Sequence, residues 1–356
     1  MSTSYSVFER GENMEPSFIL ALFQHGYKAR TSTLYHLLKG KRTSSVLLYG
    51  FIYENLRFFQ LFPALSEKQF NAILDELIEQ KLLHQTSDGE VQITTHGLES
   101  VKRDSRSFWW LDNYRFGKTD ETIWRLLQFT VQVISNLSYS HKEYIPLEQS
   151  PLYQKRVKMY IQSMPKVRLI ETVKKEWTEI FSLLPKEEAD FFAQQFSGYK
   201  KIGKTSFQLM DSQDTSFNRF LSKKERLHHL LDTILAIPED RFLKSLITQL
   251  VAQNDNKSMM ETSFYLKTQL TIETLALQRN VKVSTIKDHL MELALTKDFP
   301  FERFISQKTQ MCLFDISKPY QEWTYRTLKQ INPELDYFEF RLYQIQKLRQ
   351  EREASQ

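Results

Sequence analysis

The stretch from Leu270 to Leu293 constrains the fold more than any other part of this 356-residue chain. Its pattern predicts a helix over Ile272 to Arg279 and a second helix starting at Ser284, whose hydroxyl can accept from the N–H groups of a first helical turn. Apolar residues recur at helical spacing in both segments: Ile272, Leu275 and Ala276, then Ile286, Leu290 and Leu293. Asn280 opens the intervening turn, and asparagine tolerates left-handed backbone well. The stretch therefore predicts a helix-turn-helix, which can place its second helix in a DNA major groove.

The charge around this predicted motif is nearly balanced. Residues 257–292 contain five basic and four acidic side chains, a net charge of +1. On the second helix Lys287 would attract phosphate, whereas Asp288 and Glu292 would repel it. Because phosphate neutralisation supplies much of the affinity for DNA, the pattern also allows two helices that merely pack within an all-helical protein.

Several segments resemble the helix-turn-helix domain that ends many RecQ-type DNA helicases and also ends the YpbB-like proteins of Firmicutes. The matching residues are Glu261–Thr262, Leu270–Glu273, Arg279, Ser284–Ile286, His289–Leu290 and Leu335–Leu342. A weaker match from Arg30 to Arg42 resembles the start of YpbB-like proteins, and it favours that family over a helicase fragment. Asn280, where glycine is usual, and the acidic residues of the second helix depart from the family pattern.

The resemblance implies a bacterial protein that binds DNA, or binds a helicase on DNA, during repair, recombination or replication. It also implies a RecQ-like helicase as a partner, because YpbB-like proteins are typically encoded beside one. A single thiol, that of Cys312, fits the reducing cytoplasm, which is the location we expect. The residues that we expect to contact DNA are Arg279, Lys282, Ser284, Thr285, Lys287 and His289.

Glycine and proline are scarce, which predicts a mainly α fold. The chain has nine glycines and ten prolines, too few for a structure rich in tight turns or for the glycine-rich loops of dinucleotide-binding folds. Cys312 is the sole cysteine of the sequence, so no disulfide or thiolate metal site is expected. No apolar run approaches the length of a membrane span. The net charge of +5 permits a nucleic-acid partner without requiring one.

Changes in pattern along the chain predict three domains. Residues 1–112 predict a winged-helix-like domain, because Ser66 can cap a long amphipathic helix and a hairpin pattern with Asp88-Gly89 at its turn follows. Residues 113–253 predict a helical middle domain, and residues 254–350 the helix-turn-helix domain. A winged helix can contact DNA through its helix and wing, or it can dock a protein, and the sequence does not choose between these roles.

Basic residues outside the motif form secondary candidate patches. Residues 153–176 carry seven basic and two acidic side chains, and the difference equals the net charge of +5 of the whole chain. Such stretches can follow a phosphate backbone, or they can be solvated helix faces. The patch residues are Arg30, Lys39, Lys41 and Arg42; Lys155, Arg156 and Lys158; and Lys200, Lys201 and Lys204.

The segment from Gly198 to Thr205, GYKKIGKT, matches the phosphate-binding P-loop pattern G-x-x-x-x-G-K-[ST]. A functional P-loop follows a buried strand, but the preceding residues are helical in period and no Val/Ile-rich parallel sheet is predicted. We therefore interpret the match as chance, and we expect these lysines to add to the basic surface.

An aromatic cluster formed by Phe108, Trp109, Trp110, Tyr114 and Phe116 could stack nucleic-acid bases, but it is more typical of a core or a seal between domains. No catalytic constellation and no cofactor site stands out. The sequence therefore predicts a non-enzymatic DNA-binding or helicase-accessory protein. A helix-turn-helix transcription regulator, an ATPase using Lys204 and a scaffold without DNA affinity are the alternatives, and the oligomeric state stays open.

Overall fold

The structure is a computed structural model that describes residues 14–87, 89–103, 108–268 and 270–355. Asp88, half of the predicted hairpin turn, lies outside the described residues. The described residues form two compact units. The first combines those up to position 103 with those from 255 onward, and the second comprises residues 108–254. Helices make up most of both units, so the predicted mainly α fold is confirmed. The three-domain division stays a prediction.

The N-terminal part of the first unit combines helices with one small sheet. Its elements are α1 (Pro16–Ala21), β1 (Ala29–Arg30), α2 (Thr31–Lys39), α3 (Ser44–Ile52), a 3-10 turn (Leu56–Phe58), α4 (Glu67–Glu79), β2 (Leu83–Ser87), β3 (Glu90–Ile93) and α5 (Thr95–Arg103). The strands are antiparallel in the order β1-β3-β2, with Leu83 opposite Ile93 and Ala29 opposite Val91. Ser66 caps α4 in a capping box with Gln69, as its position before the amphipathic run predicted.

The second unit is helical. Its elements are α6 (Asn113–Phe116), α7 (Asp120–Ser138), α8 (Pro151–Gln162), α9 (Lys166–Leu183), α10 (Lys186–Ala193), α11 (Ser206–Leu209), α12 (Ser216–Ala236), α13 (Phe242–Val251) and a 3-10 turn (Ala252–Asn254). The buried apolar side chains of these helices form one continuous core, which includes Leu127, Leu169, Ile180, Leu230 and Leu243.

A buried polar network joins α7 to α12 in this unit. Asp120 accepts from Lys224 Nζ at 2.6 Å, and it lies 3.0 Å from His228 Nε2. The Asp112 amide donates to His228 Nδ1, so Nε2 carries the proton that His228 donates to Asp120. Burial alone would raise the pKa of Asp120, but Lys224 and His228 together hold it well below its usual range.

The aromatic cluster between residues 108 and 116 is largely structural. Phe116 is fully buried and Tyr114 nearly so. Trp110 stacks on the ring of His229 with the centroids 3.8 Å apart, but it is 45% exposed, and Trp109 is 76% exposed. Tyr114 and Phe116 therefore match the interpretation of the cluster as core, whereas the two tryptophans lie at the surface.

The C-terminal part of the first unit contains the predicted motif. Its elements are α14 (Lys257–Phe264), a 3-10 turn (Tyr265–Lys267), α15 (Ile272–Gln278), α16 (Val283–Thr296), α17 (Phe301–Phe304), α18 (Gln307–Phe314), a 3-10 turn (Tyr320–Glu322), α19 (Tyr325–Ile331) and α20 (Tyr337–Ala354). Helix α16 packs against α14, α15, α20 and, from the N-terminal part, α3. It is therefore a central helix of the unit.

Candidate nucleic-acid interface

Helices α15 and α16 form the predicted helix-turn-helix. Thr271 caps α15 by accepting from the Thr274 amide, and Ala276 is buried between the helices. Asn280 adopts the expected left-handed conformation with a φ of 51°. The turn closes when the Val281 amide donates to the Ala276 carbonyl at 3.0 Å. The local geometry of the motif thus follows from its sequence.

The start of α16 differs from the prediction by one residue. The helix begins at Val283, and Lys282 rather than Ser284 occupies the N-cap position. The Lys282 backbone is extended, and its carbonyl accepts from the amides of Thr285 and Ile286. The backbone path of the turn therefore sets the cap. Ser284 lies in the first helical turn, where its side chain is exposed.

Arg279 lies inside the domain, although we predicted it as a DNA contact. Only 6% of its side chain is exposed, and its guanidinium joins α15 to α14. It donates to Thr262 Oγ1, to Ser258 Oγ at 3.1 Å and to Glu261 Oε2 at 2.6 Å. An arginine with these partners stabilises the packing of the domain and is not available to DNA.

His289 belongs to the same internal network. Its Nδ1 lies 2.9 Å from Thr262 Oγ1 and 3.3 Å from Arg279 Nη1. Burial lowers the pKa of His289, and the neighbouring Arg279 lowers it further, so the ring is neutral at physiological pH. We correct the prediction for Arg279 and His289: both hold the motif together. Thr262 and Ser258 were missed, although Glu261-Thr262 was part of the family resemblance.

Lys287 is half-buried and engaged with the closing helix. Its Nζ lies 3.5 Å from Asp336 Oδ2, and it lies 5.3 Å from the centre of the Phe338 ring. Asp336 also caps α20 by accepting from the amides of Phe338 and Glu339. Lys287 therefore has a structural role in addition to any contact with DNA.

The acidic side chains of α16 are held by the N-terminal part of the unit. Asp288 accepts from Ser44 Oγ at 2.5 Å, and Glu292 pairs with Arg42 at 2.6 Å. The Glu292 side chain is 7% exposed. The expectation that both carboxylates face a DNA ligand is wrong for Glu292, because it is buried against Arg42.

The first turn of α16 is the exposed part of the motif. Lys282, Val283 and Ser284 are exposed, and Thr285 is half-buried. The first amides of a helix have no acceptor within it, and Lys282 provides no side-chain cap, so the turn presents N–H groups suited to an anion. The expected DNA contacts that the structure brings together at this surface are Lys282, Ser284 and Thr285.

Comparison with known proteins agrees with this geometry. A family described as "Helix-turn-helix domain" matches residues 258–344. The chain is also similar to Protein YpbB of Bacillus subtilis (strain 168), with 24% identity over 325 residues, covering 87% of this chain and 91% of the relative. The resemblance to YpbB-like proteins is confirmed. No solved structure matches. The helix-turn-helix domain is a class of domain suited to DNA binding.

The N-terminal basic patch is only partly available beside the helix-turn-helix domain. Arg30 is 73% exposed and pairs with Glu90, whereas Arg42 is committed to Glu292. Lys39 is half-buried near the Tyr35 ring, and Lys41 is exposed. The patch therefore offers fewer free cations than the sequence indicated.

The basic stretch of the second unit is more open. Lys155 and Lys158 are exposed on α8, and neither forms an ion pair with another described residue. Arg156 is different: its Nη2 donates to the Leu246 carbonyl at 3.0 Å, so it links α8 to α13. We correct the prediction for Arg156, which is structural.

The P-loop-like segment forms a tight turn that is unlike a phosphate cradle. It follows helix α10 rather than a strand, and Gly198 pairs with Lys201 in an isolated bridge. Backbone amides that a P-loop would offer to phosphate are used internally: Gly203 donates to Ser197 Oγ, and Lys204 donates to the Gln194 carbonyl. A side chain at Gly203 would collide with the Gln195 backbone. The glycine therefore serves packing. Lys200, Lys201 and Lys204 are exposed around this turn, as expected.

Over residues 14–355, apart from the short gaps, no group of three His, Cys, Asp or Glu side chains is placed to hold a metal ion. Across the same residues, no helix is both long and apolar enough to span a membrane.

Proposed function

We propose that this protein binds DNA through the first turn of α16 and acts without catalysis as an accessory to a RecQ-like helicase in repair, recombination or replication. The observation that carries the proposal is the exposure of Lys282 and Ser284 at the uncapped start of α16, within a helix-turn-helix domain. In known helix-turn-helix proteins, the N-terminal residues of the second helix contact DNA.

The surroundings of α16 favour contact with the sugar-phosphate backbone over reading of base edges. Beyond its first turn the helix is covered by its neighbours, and Lys287 and Glu292 are engaged with Asp336 and Arg42. A helix held in this way offers few side chains to the floor of a major groove. We therefore favour recognition of DNA structure over a defined operator, which a transcription regulator would need.

The helicase link rests on the family resemblance. The N-terminal part of the first unit, with α4 followed by the β2-β3 hairpin, suits the role of a winged-helix-like docking module in this proposal. A scaffold that binds a helicase without touching DNA is the second candidate. The near neutrality of residues 257–292 favours it.

Binding to single-stranded, duplex and forked DNA at two salt concentrations tests the proposal. Lys282→Ala should weaken binding to duplex and forked DNA, since it removes an exposed cation without disturbing the domain. Lys318→Ala removes an exposed lysine from the same unit and serves as the matched control. Absence of binding at low salt would contradict the proposal and favour the scaffold. A pull-down with a RecQ-like helicase would then test the partner.

We also propose that the protein is cytoplasmic and acts without a cofactor. An ATPase would require the Gly198–Thr205 segment to hold nucleotide, and turnover lost in Lys204→Ala but retained in Lys318→Ala would contradict a non-catalytic role.

A further inference from the structure

Two tyrosines stack at the surface of the second unit. The rings of Tyr139 and Tyr199 lie 4.4 Å apart between centroids, with an angle of 22° between their planes. Tyr139 is 66% exposed although Tyr199 covers one of its faces. His141 packs edge-on against Tyr199 at 5.2 Å. An exposed ring supported by a second ring is a flat, rigid surface on which another planar group can stack.

Backbone hydrogen bonds at the end of α7 and in the turn that contains Tyr199 hold the two tyrosines in place. Tyr139 is the C-cap residue of α7, and Ser140 follows in the left-handed conformation. The amides of Ser140 and His141 donate back to the carbonyls of Leu137 and Asn136. This is the hydrogen-bond pattern of a Schellman C-cap. It fixes the position of Tyr139 at the end of a long helix.

Tyr199 is fixed through the P-loop-like turn. Its amide donates to Ser135 Oγ at 3.1 Å, and a side chain at Gly198 would collide with the Ser135 side chain. The glycine at the start of the GYKKIGKT motif thus allows the turn to approach α7 closely. Lys200 follows with a φ of 53°, a conformation that glycine would adopt more easily.

Positive charge surrounds the tyrosine pair. Lys200 Nζ lies 5.3 Å from the centre of the Tyr199 ring, and Lys166 Nζ lies 3.1 Å from Ser140 Oγ. Lys142, Lys201 and Lys204 are exposed and follow Tyr139 or Tyr199 closely in the sequence, as does the acidic Glu143. Lys204 Nζ also donates to Gln194 Oε1 at 2.9 Å. None of the five lysines forms an ion pair with any residue that the structure describes.

We propose that Tyr139, Tyr199 and the surrounding lysines form a binding site for single-stranded DNA. A base of the strand stacks on the exposed face of Tyr139, and the lysines bind the flanking phosphates. Proteins that bind single strands combine aromatic platforms with a positive surface in this way. Duplex DNA is excluded from the same contact, because its bases are already stacked on one another and do not present a free face.

The identity of the ligand as DNA rests on the proposed function, but the site is separate from α16. The P-loop-like segment thereby acquires a role, since Gly198 lets Tyr199 approach α7 and Lys200 lies beside the Tyr199 ring.

Affinity measurements with the full chain and a labelled oligo(dT) of about 15 nucleotides test the site. Tyr139→Ala should weaken binding of this strand about tenfold, because base–aromatic stacking is lost. Tyr139→Phe keeps the ring and should bind like the parent protein. Duplex binding should be the same in all three proteins. Equal binding of oligo(dT) by the Tyr139→Ala variant would overturn the proposal.

A second pair of variants separates charge from folding. Lys200→Gly removes a lysine and relieves its left-handed backbone, so it should reduce oligo(dT) binding about threefold without loss of thermal stability. Lys81 also has a positive φ, of 57°, and lies in the first unit, so Lys81→Gly is the matched control. Equal effects of the two substitutions on oligo(dT) binding would contradict the site.

Crosslinking locates the contact directly. Oligo(dT) carrying 5-iododeoxyuridine should crosslink on irradiation to Tyr139, and peptide mass spectrometry should find the adduct between residues 139 and 142. Crosslinks confined to the first unit would overturn the site while leaving DNA binding by α16 intact. Failure of the parent protein to bind any DNA would remove the proposed function as well. Tighter binding of oligo(rU) than of oligo(dT) would overturn the assignment to DNA.

Discussion

Arg42 pairs with Glu292 although 250 residues separate them: Nε lies 2.7 Å and Nη2 2.6 Å from Glu292 Oε1. Arg42 precedes α3 and Glu292 lies on α16, so the pair joins the N-terminal part of the first unit to the helix-turn-helix domain. Arg352 on α20 adds a second link by donating to the Phe51 carbonyl at 2.7 Å. The N-terminal and C-terminal parts of the first unit thus pack against each other, and the N-terminal part supports α16.

Arg42→Ala should lower the free energy of unfolding of this unit by about 3 kcal/mol, because it removes the guanidinium from a nearly buried carboxylate. Arg30→Ala is the matched control. Its pair with Glu90 is exposed and should contribute under about 1 kcal/mol. Urea denaturation followed by circular dichroism measures both effects. Similar small decreases in the free energy of unfolding for the two variants would show that the buried pair does not stabilise the packing of the N-terminal part against the helix-turn-helix domain.

Arg279→Ala should destabilise the helix-turn-helix domain by about 3 kcal/mol, since the guanidinium supplies hydrogen bonds to Thr262, Ser258 and Glu261. Lys282→Ala should change stability by under about 0.5 kcal/mol, because its side chain is exposed. Thermal melts of the two variants make the comparison. A fully stable Arg279→Ala protein with weakened DNA binding would instead support the role that the sequence first indicated for Arg279.

His25 should make the first unit sensitive to acid. Burial lowers its pKa to about 4, and its Nδ1 accepts from the Tyr27 amide at 3.0 Å. The fold favours the neutral ring, so its contribution is complete above the unfolded pKa of about 6.5 and is lost as the pH falls towards 4. We expect a loss of roughly 3 kcal/mol over this range from His25.

His25→Asn provides the control for this pH dependence. The asparagine oxygen can accept from the Tyr27 amide, but the side chain does not titrate. Urea denaturation of both proteins at several pH values between 7 and 4 should show a shallower decline in the variant. Parallel curves would exclude His25 as the source of the acid sensitivity.

Gly203→Ala should lower the free energy of unfolding of the second unit by about 2 kcal/mol, because the added Cβ meets the Gln195 carbonyl. Lys204→Ala should be close to neutral, since its side chain is exposed. A thermal shift assay with Mg-ATP should show no stabilisation of the parent protein. Stabilisation that disappears in Lys204→Ala would reverse the interpretation and establish a nucleotide site.

The local features of the motif could be predicted from the sequence. Asn280 marked the left-handed turn, and Ala276 and Ile286 marked the packed faces, because turn chemistry and helical period act over a few residues. The start of α16 was missed by one residue. A hydroxyl at Ser284 shows that a cap is possible, whereas the backbone at Lys282 determines where the cap lies.

The roles of the charged residues could not be predicted in the same way. Arginine and histidine side chains can bind DNA phosphates or form hydrogen bonds inside a domain, and the sequence does not distinguish the two roles. In the structure, Arg279 and His289 both contact Thr262 Oγ1 inside the domain. Arg42 and Glu292 carry no local sign of their pairing, because their contact depends on the whole fold of the unit. The exposed tyrosine pair depends likewise on a turn sixty residues from α7.

The salt dependence of duplex binding tests the central claim, that α16 contacts DNA phosphates through its first turn. In a plot of the logarithm of the binding constant against that of the salt concentration, Lys282→Ala should reduce the slope by about 1 and Lys318→Ala should not change it. A slope and an affinity that are the same in the parent protein and in Lys282→Ala would contradict the claim.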